Sequence, residues 1–329
     1  MITESPLISI ITVTYNAEGF IDRYAESICE LLRKYEQFSL VIVDNASSDK
    51  TLEKLRDHIK LTGIESRAAL VPSEINLGFG KACNLGARES QRWNPAFLWF
   101  LNPDTVIDSA AAEGLIKCFE ENTNVDIVGS ALKNENGEKR SAAFRFPRIP
   151  TVFLSNARLG ILDKLFPNQI GTAPLKEFAF STDWVSGASF MIRNDVFNKL
   201  DGFDPFYFLY FEEVDLFLRA HRAGYQTLFC PDSVVFHESG ASTGINKKNL
   251  QQEVKPRPDY WFESRRYFYM QRYGRMYFLA ADAAFLLGQM IFRVKTLITG
   301  KKTNEPPKLI RTIFRFSGLF KEVRAKKST

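Results

Sequence analysis

The chain has 329 residues, of which 45% are hydrophobic and 25% are charged. This is the composition of a globular protein with room for one large domain or two modest ones, and it excludes a disordered or low-complexity chain. The four cysteines lie far apart and show no zinc-type spacing, so we expect reduced, mostly buried thiols in a cytosolic protein. We expect neither a signal peptide nor a membrane-spanning helix, because Asp282 interrupts the most apolar run, residues 276–292.

The charge is distributed unevenly. The net charge is +5, but from Arg293 onward there are eleven basic and two acidic residues, a local charge of +9, which leaves −4 for residues 1–292. A mildly acidic body with a strongly basic tail suits contact with nucleic acid or with an anionic membrane surface.

Strands and helices alternate through the first 132 residues. Buried, β-branched or apolar strands are predicted at 7–16, 40–43, 68–71, 97–101 and 125–132. Four helices are predicted between them: one at 19–35, one that begins near residue 50, one that ends near residue 92, and one at 109–121. Such alternation predicts βαβ units and a mostly parallel central sheet flanked by helices, an α/β fold.

The rest of the chain is less regular. Residues 134–180 are expected to form a hairpin and a long excursion, and strands are predicted at 184–192 and 227–236. Short helices are predicted at 195–200 and 212–223, and 258–299 is aromatic, basic and helical in pattern.

The C-terminal tail has an amphipathic pattern. Apolar residues recur at helical spacing, and the basic residues fall largely off that stripe, which consists of Leu309, Ile313, Phe316, Phe320 and Val323. Such a helix either lies on a membrane surface or packs on its own body or a second subunit, and the charge excess favours the membrane.

Polar residues end three of the predicted strands. Asn16, Asp44 and Asp104 follow the first, second and fourth strands. The carboxyl ends of parallel strands share one edge of the sheet, where ligands bind in open α/β folds. The alternative for Asp104 alone is a cap on the next helix.

Two further features point to metal and anion chemistry. The first is a possible metal site, in which the Asp104 carboxylate and the His237 imidazole would bind Mn²⁺ or Mg²⁺ and diphosphate oxygens would complete the coordination shell. His237 is one of three histidines, and a lone histidine is more often structural. Gly78 and Gly80 open a helix whose N-terminus favours anions, but the segment is neither a dinucleotide fingerprint nor a P-loop.

Three carboxylates stand together at a helix start, Glu212, Glu213 and Asp215, directly after an aromatic run at 206–211. They can simply complement the helix dipole. A carboxyl desolvated among aromatic rings has a raised pKa, however, and is then suited to act as a general base.

These motifs, in this order, resemble the inverting GT-A glycosyltransferases of family 2, and most closely the rhamnosyltransferase-like branch that builds bacterial cell-surface polysaccharides such as O-antigen. The matching segments are Thr14–Asn16, Val43–Asp49, Asn76–Gly80, Leu101–Asp104, Trp184–Ala188, Gly202–Asp204, Phe211–Asp215 and His237–Ser242. The resemblance covers roughly residues 7–245. It implies a GT-A catalytic domain at 1–250, with a nucleotide-sugar half to about 132 and an acceptor half at 133–250, followed by a helical region at 251–329 with the basic tail.

The resemblance also implies roles for individual residues. Asp104 and His237 would bind the metal, and Glu213 would be the general base, with Glu212 as its alternative. The nucleotide sugar would contact Thr14, Tyr15, Asn16, Asp44, Asn76, Gly78, Lys81, Asn102 and Asp104. Asn102 replaces the first aspartate of the family's Asp-x-Asp motif. The acceptor side would be lined by Trp184, Tyr210, Phe211 and Asp215.

The implied reaction is the transfer of a sugar, L-rhamnose from dTDP-L-rhamnose, to a hydroxyl of a lipid-linked or growing cell-surface glycan. The expected enzyme is a peripheral protein on the inner face of the cytoplasmic membrane, held there by its basic C-terminal helix, with no nucleic-acid partner and a possible homo-oligomeric state. The alternatives are a UDP- or GDP-sugar donor, a nucleotidyltransferase-like enzyme, and a non-catalytic glycan-binding scaffold.

Overall fold

The computed structural model describes residues 7–238, 256–300 and 309–319, which divide into two compact units. The described part of the first unit comprises residues 7–144, 172–208 and 212–238. The second comprises 145–171, 209–211, 256–300 and 309–319. The second unit therefore includes two segments, 145–171 and 209–211, that the sequence analysis had assigned to the catalytic domain.

The first unit contains the strands of the fold. They are β1 (Ile8–Thr14), β2 (Phe38–Asp44), β3 (Ala68–Pro72), β4 (Phe97–Leu101), β5 (Thr105–Val106), β6 (Ile127–Lys133), β7 (Lys139–Arg140), β8 (Ala143–Phe144), β9 (Phe180–Ser181), β10 (Trp184–Val185), β11 (Ser189–Arg193) and β12 (Thr227–His237). The helices of both units, in chain order, are α1 (Ile21–Lys34), α2 (Thr51–Thr62), α3 (Phe79–Ser90), α4 (Ser109–Glu121), α5 (Ile149–Ala157), α6 (Gly160–Leu165), α7 (Asn194–Lys199), α8 (Glu212–Arg222), α9 (Asp259–Arg272), α10 (Arg275–Thr299) and α11 (Leu309–Arg315).

The main sheet has the strand order β3-β2-β1-β4-β11-β6-β12-β5, and β8 and β10 form a separate pair. The strands β3, β2, β1 and β4 are parallel, and so are β6 and β12, whereas β11 runs antiparallel between β4 and β6. The chain places β2 and β3 on one side of β1 and then crosses to β4 on the other side. In an open α/β sheet, a ligand binds outside the carboxyl ends of the strands at such a switch point.

The buried strands form the centre of the first unit. Every residue of β1, β2 and β4 is buried, as expected of strands with helices on both faces. A chain of buried hydroxyls also crosses the sheet, because Ser189 Oγ accepts a hydrogen bond from Trp99 Nε1 at 3.0 Å and lies 2.8 Å from Ser130 Oγ. The predicted α/β fold with a mostly parallel central sheet is confirmed, and the antiparallel pairings in this sheet involve β11, β5, β7 and β9.

The second unit is helical. Its longest helix, α10, packs against α5 and α9, and within it Asp282 forms a buried ion pair with Arg265 at 2.6 Å. Among the described residues, α10 is the one helix long and apolar enough to cross a membrane, with 39% of its most apolar window buried in the protein. The sequence analysis had expected no such helix because of Asp282, a residue whose charge is paired here.

The C-terminal helix α11 exists, but its apolar stripe is covered. Leu309, Ile313 and Phe316 are buried, and the ring of Phe316 stacks on Phe262 with centroids 5.6 Å apart. This part of the stripe packs on its own unit, the alternative that the sequence left open, and is not presented to a membrane. The stripe positions Phe320 and Val323 lie outside the described residues.

Candidate active site at the switch point

The loops after β1 and β2 are tied together by side-chain hydrogen bonds. Asn16 has a positive φ of 49°, its amide N–H donates to Ser47 Oγ at 2.9 Å, and its side-chain oxygen accepts from the Ser48 N–H at 2.8 Å. The preceding residue, Tyr15, is 50% exposed. The switch-point edge therefore presents an exposed aromatic ring on an ordered loop.

Asp44 lies at this edge, but it is buried and its carboxylate is occupied. It accepts hydrogen bonds from Thr14 Oγ1 at 3.0 Å, Ser47 Oγ at 2.6 Å and the Ser47 N–H at 3.1 Å. In this structure Asp44 and Thr14 order the ends of β1 and β2, and direct contact between these two residues and a nucleotide stays a prediction.

The sequence analysis missed the role of the next residue, Asn45. Its side chain donates to Asn76 Oδ1 at 2.8 Å and accepts from the Leu77 N–H at 2.7 Å, so it joins the end of β2 to the loop before α3. Asn45 lies next to Asp44 in the segment Val43–Asp49, which the resemblance to the family had already selected. Lys81, in the first turn of α3, is exposed at the surface.

Gly78 is required at the tip of this loop. Its φ and ψ are 83° and 168°, and a Cβ at this position would lie 2.5 Å from the carbonyl oxygen of Phe208. The neighbouring Phe79 N–H donates to the same oxygen at 2.9 Å. The loop is therefore fixed against the segment that precedes α8.

Asp104 and His237 come together although 133 positions separate them in the sequence. The antiparallel pairing of β5 and β12 places His237 opposite Thr105, and the Glu238 N–H donates to the Asp104 carbonyl at 3.0 Å. His237 Nε2 lies 3.2 Å from Asp104 Oδ1, with the Asp104 side chain 1% and that of His237 19% exposed.

This pair fits a divalent cation. A carboxylate oxygen and an imidazole nitrogen are both donor types that divalent metals accept, and the carboxylate is held on a buried turn. No third His, Cys, Asp or Glu completes a cluster with them within the described ranges. The remaining coordination positions would therefore fall to ligand oxygens or water.

The turn between β10 and β11 connects the end of β4 to α8. The Ala188 carbonyl accepts a hydrogen bond from the Asn102 N–H at 3.0 Å. The adjacent Gly187 faces the predicted base, because a Cβ at Gly187 would be 3.8 Å from Glu213 Oε1. Gly187, another residue that sequence reasoning did not select, thus lies beside Glu213.

Glu212 and Glu213 form a pair of interacting carboxyls. Burial raises the pKa of Glu213, and burial together with the Glu213 charge raises that of Glu212 well above the ordinary value. A hydrogen bond from Glu212 acts in the opposite direction and lowers the pKa of Glu213. The pair therefore favours a protonated Glu212 beside an ionised Glu213, whose buried Oε2 has no hydrogen-bond partner.

The residues predicted for the acceptor side are found in three different settings. Trp184 is partly exposed and stacks on Phe144 at 4.3 Å. Tyr210 and Phe211 belong to the second unit, where they contact Tyr260 and the rings of Trp261 and Phe268. Both have positive φ values, 68° and 69°, a strained backbone immediately before Glu212. Their contact with an acceptor stays a prediction.

Asp215 is a different case from its neighbours. It is fully buried, accepts from Arg219 Nε at 2.8 Å and from the Tyr207 hydroxyl at 3.1 Å, and so stabilises the start of α8. Both oxygens of the Asp215 carboxylate are engaged within the protein, and its contact with an acceptor stays a prediction. The spacing of Asp215 and Arg219, four residues apart on one helix face, was the sequence signal for this pair.

Comparison with known proteins identifies the family of the chain. The family description "Glycosyl transferase family 2" matches residues 9–200. An N-acetylglucosaminyl-diphospho-decaprenol L-rhamnosyltransferase from Mycobacterium tuberculosis is 22% identical over 251 residues, 72% of this chain and 78% of the relative. The rhamnosyltransferase WbbL of Escherichia coli is 25% identical over 238 residues, 70% of this chain and 83% of the relative.

Solved structures show the same fold. The mannosyltransferase PcManGT from Pyrobaculum calidifontis, solved with GDP-Man and Mn²⁺, superposes with a TM-score of 0.54 at 14% identity and covers 95% of this chain and 86% of its own. The predicted GT-A fold is thereby confirmed. On the family match over more than half of its length, this chain is a glycosyltransferase that belongs to glycosyl transferase family 2.

Proposed function

We propose that the protein is an inverting, metal-dependent glycosyltransferase that transfers L-rhamnose from dTDP-L-rhamnose to a hydroxyl of a lipid-linked or growing cell-surface glycan. The observation that carries the proposal is the arrangement at the switch point, where the Asp104–His237 pair and the end of β4 connect through Ala188 and Gly187 to Glu213. The similarity to two rhamnosyltransferases supports the choice of sugar.

The chain's own residues supply binding, orientation and proton transfer. Asp104 and His237 would hold Mn²⁺ or Mg²⁺, which when bound neutralises charge on the departing diphosphate. Tyr15, Asn16 and Asn102 line the carboxyl edge where the nucleotide sugar would lie, and the amide N–H groups at the start of α3 favour its phosphates.

Glu213 would act as the general base. The carboxylate of this partly exposed residue accepts the proton of the acceptor hydroxyl, whose oxygen then attacks the anomeric carbon from the face opposite the diphosphate. The glycosidic bond forms as the bond to the diphosphate breaks, so a single displacement inverts the carbon. Glu212 keeps its proton and holds Glu213 in its ionised form.

A donor panel tests the sugar assignment. The melting temperature of the protein with Mn²⁺ is measured with dTDP-L-rhamnose, UDP-GlcNAc, GDP-mannose and no donor. A donor present at about 100 times its dissociation constant adds about 2.7 kcal/mol to the stability of the folded state. The largest shift is expected with dTDP-L-rhamnose, and a larger one with a UDP- or GDP-sugar would reassign the donor.

A charge-neutral substitution tests the base. Glu213→Gln should abolish transfer while keeping the donor-induced thermal shift, whereas Glu53→Gln, an exposed glutamate on α2, should change neither. A fully active Glu213→Gln enzyme would remove the assignment of the base. A protein that binds donors but neither hydrolyses nor transfers any of them would favour the glycan-binding scaffold.

The metal assignment is tested separately. Asp104→Ala should make the donor-induced thermal shift independent of Mn²⁺, because a carboxylate ligand is lost. A Mn²⁺-dependent shift of unchanged size in this variant would exclude Asp104 as a ligand.

We also propose that the enzyme works as a peripheral protein on the inner face of the cytoplasmic membrane, where a lipid-linked acceptor would be presented.

A further inference from the structure

The C-terminal half of α10 has an apolar face that the described residues leave exposed. The buried residues of this helix end at Gln289, and beyond that point its side chains are partly or fully exposed. The exposed apolar residues recur at helical spacing on one side, with exposed fractions of 50% for Leu287, 56% for Met290, 51% for Val294, 83% for Leu297 and 81% for Ile298. Scattered single apolar residues are common on surfaces, but five on one helix face need an explanation.

The same unit has a second exposed apolar set, on α6, a helix that follows a segment packed on the other side of α10. The Arg158 guanidinium lies 4.5 Å from the centroid of the Phe292 ring, and Lys295 Nζ donates to the Arg158 carbonyl at 2.6 Å. The short helix α6 starts two residues after Arg158. Its exposed apolar residues are Ile161, Leu165 and the adjoining Phe166, at 70%, 64% and 52%. We call these two sets together the α6–α10 surface.

The C-terminal half of α10 and the residues that follow it carry charges of one sign. No aspartate or glutamate occurs between residues 283 and 304, whereas this stretch contains Arg293, Lys295, Lys301 and Lys302. An apolar helix face bordered by lysine and arginine is the pattern of a helix that lies in the plane of an anionic membrane surface. The +9 charge of the segment from Arg293 onward adds to this attraction.

The packing of α10 argues for lying on a membrane rather than crossing it. Its N-terminal half is buried against its own unit, where Asp282 and Arg265 form their ion pair. In the described part of the tail, Leu309, Ile313 and Phe316 are buried, whereas Phe314 and Leu319 are 51% and 56% exposed.

We propose that the α6–α10 surface, rather than the apolar stripe of α11, docks the enzyme on a membrane rich in anionic lipid headgroups. This inference extends the proposed function by naming the surface that would bring the site to a lipid-linked acceptor, and it rests on that proposal only for its biological purpose. The binding itself requires neither donor nor acceptor.

Vesicle sedimentation tests the inference with the full chain. Wild-type protein is mixed with phosphatidylglycerol/phosphatidylethanolamine vesicles or with phosphatidylcholine vesicles, without nucleotide sugar. We expect binding to the anionic vesicles that weakens as salt is raised. Leu297→Glu should lower the partition coefficient about tenfold or more, since it removes an aliphatic side chain from the apolar face and adds a negative charge next to an anionic surface.

The matched control is Leu61→Glu, which places the same substitution on a leucine of similar exposure, 80%, on α2 of the first unit. This variant should bind vesicles as wild type does. Equal binding by Leu297→Glu and wild type, or no binding by wild type to anionic vesicles, would overturn the proposal. So would light scattering that shows a wild-type dimer and a Leu297→Glu monomer, because the surface would then join two copies.

The donor thermal shift separates this proposal from the proposed function. Leu297→Glu is expected to retain the full shift while losing vesicle binding. A protein that binds vesicles but responds to no donor would leave the docking surface intact and refute the proposed donor.

Discussion

Replacing Gly78 by alanine should damage the candidate donor site through the backbone. The φ and ψ of Gly78, 83° and 168°, lie in a region that is essentially restricted to glycine, where a side chain costs about 1–3 kcal/mol. The new Cβ would also lie 2.5 Å from the Phe208 carbonyl oxygen and 2.9 Å from its Cα, both backbone atoms that cannot move aside by a rotamer change. Overpacking of this kind adds about 1–3 kcal/mol.

We therefore expect Gly78→Ala to lower the free energy of unfolding by about 4 kcal/mol, the middle of the combined range of about 2–6 kcal/mol. The loop that contains Asn76 and Phe79 must shift, so the KM for the nucleotide sugar should also rise. Urea unfolding and donor-dependent initial rates measure the two effects.

Gly63→Ala is the matched control. Gly63 also has a positive φ, 69°, but a Cβ there meets no atom within 4 Å, and the residue ends α2 away from the switch point. It should cost only about 1–2 kcal/mol, the price of a left-handed conformation, and leave the donor KM unchanged. If Gly78→Ala loses no more stability than Gly63→Ala and binds donor equally well, the argument for a required close approach at Gly78 is refuted.

Three further outcomes are expected. Asp282→Ala should destabilise the protein by about 3–5 kcal/mol, because Arg265 is left buried without its counter-ion. Urea unfolding measures this loss of stability. The loss should be much smaller when Asp282 and Arg265 are both replaced by apolar residues. Ser189→Ala should cost about 1–3 kcal/mol in the same assay, since the buried Trp99 N–H loses its acceptor. The rate of transfer should rise with pH through the raised pKa of Glu213, because only the ionised carboxylate accepts a proton. The acid limb of the pH profile of kcat should therefore have its midpoint above the ordinary glutamate pKa of 4.5. A midpoint at or below 4.5 would argue against this base.

The sequence by itself determined the local elements of the first unit. The apolar runs and the polar residues that end them predicted β4 at Phe97–Leu101 and α4 at Ser109–Glu121 with the bounds that the structure shows. Periodicity and strand-ending residues are local properties, so they can be recognised without knowing what lies opposite. The order of the motifs also carried the resemblance to family 2, which the comparison confirmed.

Tertiary structure decided which of the polar residues have partners. Three aspartates that look alike in sequence have different partners in the fold. Asp44 accepts a hydrogen bond from a serine hydroxyl, Asp104 lies beside His237, and Asp215 forms an ion pair with Arg219. The sequence left open for the same reason what the apolar stripe of α11 packs against, since an amphipathic helix can pack on its own protein as readily as on a membrane. Hydrogen bonding and burial depend on residues far apart in the chain, and only the fold brings those residues together.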